Sequence, residues 1–225
     1  MVAQFVSDLH LPISQIRLET YRPVGGDDLE MVTNYFWNIH LAEALVPSLH
    51  AAELALRNSI HTALTAHFNT EMWFYQPGLL EGGQLGEFAR ALISVSRKGS
   101  ATSGRIVSSL MFGFWVSILT SPYEQRLWAP NHYALMKTVF PHATVSRKDI
   151  ADRFVMIKDL RNRVSHLEAV WQDPNLLGKH QLIHDAVKWI SAPLHQAINA
   201  VDNFPFVFNN RKQVQIDLKK HLHIP

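Results

Sequence analysis

Apolar residues recur every three or four positions along nearly the whole chain, and no convincing two-residue alternation interrupts them, so the pattern predicts helices throughout. Pro and Gly fall between the periodic stretches. A first short helix is expected to end near Tyr21, before Pro23 and Gly25-Gly26. Asp27 and Asp28 then supply a helix start, one as N-cap and one as a first-turn acid beside the positive helix end. The helix that follows is expected to run to about Leu45, with Leu29, Val32, Phe36, Ile39 and Val46 spaced for one buried stripe. Pro47 predicts a break or kink. Ser48 is then placed to cap a third helix reaching about Phe68, with Leu49, Ala52, Leu56, Ile60 and Ala63 facing inward.

Residues 76–86 read as a loop, and Glu87 to Arg97 as a helix. Another helix is expected from Ser103 to Ser121-Pro122, and Tyr123 to Trp128 as a connector. Asn131 is placed to cap a short helix ending at Pro141. Ser146 opens the most regular helix, with Ile150, Phe154, Ile157, Leu160, Val164 and Leu167 as its apolar positions. Asp173-Pro174 begins a further helix to about Ile190, and two short ones follow Pro193 and Asn209. These elements predict one all-α domain over residues 1–225, a multi-helix bundle with a loosely packed C-terminal tail from about residue 203.

Composition narrows the class. A chain of 225 residues can bury a sizeable core, and 47% hydrophobic with 18% charged residues excludes a disordered chain. The net charge of +2 is too mild to announce nucleic acid, although 13 His would add positive charge near pH 6. The lack of Cys excludes a disulfide scaffold, a Cys-ligated zinc site and a thiol nucleophile. The longest apolar stretch, Ile106 to Leu119, is too short to span a bilayer. A cytoplasmic protein with no membrane partner is expected.

Two segments echo each other. Residues 53–61 read Glu-Leu-Ala-Leu-Arg-Asn-Ser-Ile-His, and residues 159–166 read Asp-Leu-Arg-Asn-Arg-Val-Ser-His. Each places Arg-Asn on an amphipathic helix with a His shortly after. Together with LHAAELALRNSIHTAL, YEQRLWAP and LRNRVSHLEAVW, in that order, they carry a resemblance over roughly residues 11–200. The chain resembles the Abi-like family of bacterial abortive-infection proteins, which is similar to the larger superfamily of higher eukaryotes and prokaryotes nucleotide-binding (HEPN) domains. The resemblance implies an HEPN-like α-helical bundle, often dimeric, with metal-independent endoribonuclease activity in many members and no cofactor. The family's catalytic Arg and His map onto Arg161 and His166, and its common Asn onto Asn162. Arg57, Asn58 and His61 match a second stretch of the family pattern, and with Glu53, which neighbours Arg57 on the helix, they would be supporting residues. RNA, a second copy of the chain and a neutralising antitoxin are the partners so implied.

The residues add geometry of their own. At about 100° per residue, Arg161 falls at the edge of the apolar stripe while His166 points nearly opposite it. Arg161 and His166 therefore do not share one face of an ideal helix; they could converge through a helix distortion or through a second copy docking on that face, and the symmetric dimer favours a composite site. A near-neutral His can move the 2′-OH proton, and a fork-shaped Arg can hold the phosphate and its developing charge. The plainer readings stay open. Arg161 is placed for an ion pair with Glu53 or Asp159, His166 for simple solvation, and Glu53–Arg57 for an i,i+4 pair. Arg147, Lys148, Arg153, Lys158 and Arg163 form a basic helix surface that would guide RNA or remain merely solvated. His180 and His184, four apart, lack the Glu of a metalloprotease motif, so no metal site is expected. Trp73, Phe112, Phe114, Trp115 and Trp128 read as core.

Overall fold

The computed structural model describes residues 2–129 and 133–223, and these form an all-α fold with no strand among them. The helices are α1 (Val2–Ile13), α2 (Gln15–Glu19), α3 (Asp28–Phe68), α4 (Gly82–Ser96), α5 (Ser103–Ser109), α6 (Phe112–Ile118), α7 (Tyr133–Val139), α8 (Arg147–Ser165), α9 (Leu176–Ile190), α10 (Ala192–Val201), α11 (Phe204–Asn209) and α12 (Arg211–His221). The expected cap at Asn131 lies outside the described residues. The chain divides into two compact units. One holds Met1–Ser48, Arg161–Gln181 and Ala200–Pro225, and the other Leu49–Leu160 and Leu182–Asn199.

Two helix starts follow from reciprocal side-chain caps. At α3, Asp27 Oδ1 accepts from Glu30 N–H at 2.8 Å, while Glu30 Oε2 accepts from Asp27 N–H at 3.3 Å. At α8, Ser146 Oγ accepts from Asp149 N–H at 3.2 Å, and Asp149 Oδ2 accepts from Ser146 N–H at 3.1 Å. Both starts were readable.

The expected break at Pro47 is absent, and α3 runs unbroken for 41 residues. Proline removes one amide donor and leaves the carbonyl four residues back unpaired. Here that carbonyl belongs to Glu43, and both Glu43 and Pro47 are exposed, so water can supply the missing donor. Ser48 is buried inside the helix instead of capping one. Conversely, the helix expected from Ser103 onward is interrupted at Leu110-Met111. The hydroxyls of Ser108 and Ser109 both turn back to Arg105 C=O at 2.9 Å, and Glu87 Oε1 takes Met111 N–H at 2.9 Å.

In the first unit, Val6, Leu18, Tyr21, Met31 and Val32 form a cluster on which Trp171 and Leu218 pack. The C-terminal segment is not loose at its start. Phe204 is fully buried, Trp37 Nε1 donates to Val207 C=O at 3.0 Å, and Arg211 Nε donates to Asn34 Oδ1 at 2.6 Å. A buried aromatic and two long-range hydrogen bonds anchor the start of what the element pattern predicts to be a loose tail. In the second unit, Phe74 stacks on Phe88 at a centroid spacing of 5.4 Å, Trp73 lies tilted against Phe74 at 4.0 Å, and Trp115 meets Trp73 edge-on at 6.2 Å. The aromatics expected in the core are there.

Phe204→Ala should lower unfolding stability by about 3–5 kcal/mol, the usual cost of deleting a buried Phe. Urea denaturation gives this directly; a loss below about 1 kcal/mol would return residues after 203 to the status of a loose tail.

Candidate functional site

The Arg-Asn-x-x-x-His motif sits at the C-terminal end of α8, and the way that helix stops determines where its side chains go. His166 N–H donates to Asn162 C=O at 2.9 Å, Leu167 N–H to Val164 C=O at 3.2 Å, and Glu168 N–H to Arg163 C=O at 2.9 Å. The last two bonds are a Schellman closure. Leu167 occupies its left-handed position at φ 57°, a conformation usually left to Gly. The stripe of Ile150, Phe154, Ile157, Leu160 and Val164 is buried as expected, but Leu167 is 67% exposed, because the helix has already ended.

Arg161 and Asn162 are half-buried, and His166 is exposed, as the helical wheel implied. Arg161 Nη1 approaches Asn162 Oδ1 at 3.5 Å. Asn162 thus faces Arg161 through its side chain and meets His166 only through its backbone. In the second unit Arg57 Nε donates to Asn58 Oδ1 at 3.3 Å, so the two echoing segments repeat one local contact.

His61 departs furthest from a site role. Trp73 Nε1–H donates to its Nδ1 at 3.0 Å, which leaves Nε2 to carry the proton of the neutral ring, facing Ser103 Oγ at 3.4 Å. Ser103 Oγ in turn donates to Glu71 C=O at 3.0 Å, and the ring lies parallel to Phe74. Burial pushes His61 below the ordinary imidazole range, with Glu71 opposing weakly. This histidine is held neutral as an aromatic-cluster acceptor.

The basic residues of α8 are engaged within the chain. Arg147 donates to Leu119 C=O at 2.7 Å and to Glu124 at 2.9 Å. Arg153 donates to Leu182 C=O at 3.1 Å and lies 4.8 Å over the Trp189 ring. Lys158 pairs with Asp159 at 2.7 Å, and Lys148 with Asp152 at 2.5 Å. Arg163 holds Ala169 C=O at 2.6 Å and Asp173 at 3.2 Å. Instead of an open basic face, α8 presents cations tied to carbonyls and carboxylates. His180 and His184 are both buried. Asp202 Oδ1 lies 3.2 Å from His180 Nε2, and Phe204 stacks on that ring at 4.4 Å. His184 Nδ1 meets Asn199 Oδ1 at 2.6 Å.

Beside His166 in sequence, Val164 and Leu167 line a groove of about 560 Å³ with Ile13, Tyr35, Ile39 and Val46. Ile39 and Val46 were expected in the buried stripe of α3, yet are 45% and 51% exposed. Arg17 and Asn38 also line this groove and bond to the segment that follows His166. Sequence reading passed over both. The available signal was the polar pair Asn34 and Asn38, four apart in an otherwise apolar helical pattern.

Compared with protein-family models, curated proteins and solved structures, the chain matches none.

Because the folded pKa of His61 is lowered, its neutral contacts stabilise fully above the unfolded value of about 6.5 and fade as pH falls through the folded value. His61→Gln keeps an acceptor for Trp73 but cannot titrate. The melting-temperature advantage of the native chain over this variant should shrink between pH 7.5 and pH 5, and an advantage that grew on acidification would contradict the assignment.

Proposed function

We propose that this protein is a metal-independent endoribonuclease of bacterial phage defence, cytoplasmic and toxin-like, acting as a homodimer in the manner of the Abi-like and HEPN proteins it resembles. The observation that supports this best is the placement of His166. Its imidazole stands in solvent at the end of α8, four residues after Asn162 and five after the half-buried Arg161.

The chemistry follows from those groups. His166 accepts the 2′-OH proton as the 2′-oxygen attacks phosphorus. The phosphorus–O5′ bond breaks, and a protonated imidazole or water returns a proton to the leaving 5′-oxygen. Arg161 neutralises the non-bridging oxygens as charge builds on them. The products are a 2′,3′-cyclic phosphate and a 5′-hydroxyl. The exposed rim of the groove, Ile39, Val46 and Leu167, would face a second copy, bringing two motifs around one cleft.

A second reading is favoured by the internal commitment of Arg147, Arg153 and Arg163. With these cations turned inward, the motif would serve as the interface of a dimeric interaction protein; a module that binds RNA without cutting it would instead need them facing the nucleic acid.

Purified protein should cleave mixed cellular RNA in excess EDTA, and the Arg161→Ala/His166→Ala double variant should not. His166→Gln alone should slow cleavage by about 10²–10⁴-fold with RNA binding retained. Binding without cleavage in the native chain would favour the binding module, and neither activity the interaction protein.

Assembly is testable separately. Ile39→Glu/Val46→Glu places two charges on the groove rim, and light scattering should show dimer converted to monomer with cleavage lost. A native chain that is strictly monomeric at micromolar concentration and still cleaves would remove the composite site.

A further inference from the structure

We infer that Asn38 and Arg17 are positioning residues that fix where His166 stands, an inference that rests on the acid–base role proposed for His166. Neither belongs to the motif. Both act on the backbone that carries it.

The chain leaving α8 does not run into solvent. Within five residues of His166 it reaches Val170, which is fully buried, and Trp171, which stacks on Tyr21 with centroids 6.5 Å apart. Its backbone groups must therefore find partners inside the unit. Asn38, itself 4% exposed, supplies three of them. Its Oδ1 accepts from Val170 N–H at 2.7 Å and from Trp171 N–H at 3.1 Å, and its Nδ2 donates to Glu168 C=O at 3.3 Å. The second amide hydrogen goes to Tyr21 Oη at 3.4 Å. Two acceptor sites and two donors are all used, and an amide on a one-carbon stem is the side chain that offers both. Asp offers the acceptors without the donors, and Ser offers too few of either.

Arg17 completes the hold from α2. Its Nη2 donates to Leu167 C=O at 2.5 Å, on the one residue of this segment with a positive φ. A leucine remains in that conformation only where its surroundings over-determine it. The residue so pinned is the immediate neighbour of His166. His166 is thus caught between a closed helix end on one side and a backbone held at Leu167, Glu168, Val170 and Trp171 on the other. The direction of its side chain is set by both.

A buried amide cannot touch RNA, which makes Asn38 the discriminating position. Asn38→Asp should lower kcat by about 10- to 100-fold, the scale on which small misplacements of a reacting group act, with KM for RNA nearly unchanged. A readout independent of cleavage is the imidazole proton resonance of His166, assigned by its disappearance in His166→Gln. It should be single and sharp in the native chain, and shifted or broadened in Asn38→Asp.

Arg17→Ala removes a surface contact and serves where Asn38→Asp fails to fold. It should move the same resonance, and Arg17→Lys, which can still reach the Leu167 carbonyl, should restore it. A His166 resonance unchanged in a folded Asn38→Asp or in Arg17→Ala would overturn the inference. A native chain without cleavage, whose His166 resonance nonetheless responds, would sink the nuclease reading and leave the positioning intact.

Discussion

A helix that ends against a buried layer has to dispose of its last carbonyls and of the amides that follow, and the end of α8 is where this constraint is tightest. The Schellman bonds from Leu167 and Glu168 satisfy carbonyls of the last turn, and Asn38 takes the amides of Val170 and Trp171. Trp171 lies on Tyr21 with its backbone amide satisfied by that side chain. Tyr21 in turn belongs to the cluster with Val6, Leu18, Met31 and Val32. One polar side chain inside an apolar helix thus ties the terminal turn of α8 to the packing of α1, α2 and the start of α3. An unsatisfied amide in such a place costs about 1–3 kcal/mol, so replacing Asn38 by an apolar residue is not a neutral exchange.

The same constraint separates the members of the motif. While α8 continues, its side chains advance around the helix, and the edge of the buried stripe falls to Arg161. Once the helix closes, His166 is left outside it. A guanidinium partly withdrawn from water and an imidazole in water is a sensible division for the proposed chemistry. The first must hold charge against a phosphate, where a lower local dielectric strengthens it. The second must exchange protons. The exposed Leu167 and the uncovered Ile39 and Val46 mark the same side of the unit as apolar. That combination is what a face shared with another copy would need.

Much of this fold was legible because it rests on local rules. The caps at Asp27 and Ser146, the stripe of the second half of α3 and that of α8 as far as Val164 are short-range patterns, and they held. What was not legible depends on water or on distant partners. Pro47 reads as a break until it and Glu43, whose carbonyl loses its donor, are seen to be exposed residues. The run from Ser103 to Ser121-Pro122 reads as one helix until Glu87 takes Met111 N–H from across a loop. The first half of α3 was misread for a related reason: Asn34 and Asn38 are buried while Ile39 and Val46 are not, so the apolar stripe and the buried stripe differ. Of the candidate site, the exposure of Arg161 and His166 followed from helical geometry. The burial of His61 did not, since its partners Trp73 and Ser103 lie 12 and 42 residues away.

The placement of charge carries one more consequence for how RNA would be met. With a net charge of only +2, and with Arg147, Arg153, Lys158 and Arg163 held by carbonyls and carboxylates, α8 contributes little long-range positive potential. Proteins that neutralise many phosphates bind with steep salt dependence and little discrimination. A site that relies on a single guanidinium and an imidazole at a helix end works the other way. Its hold on RNA would depend weakly on salt and strongly on whether the backbone can bend a scissile phosphate into reach. Selectivity would then come from the shape and flexibility of the RNA, with unpaired loops favoured over rigid duplex. That requirement returns to the end of α8, because a site that works by geometry needs its histidine held still.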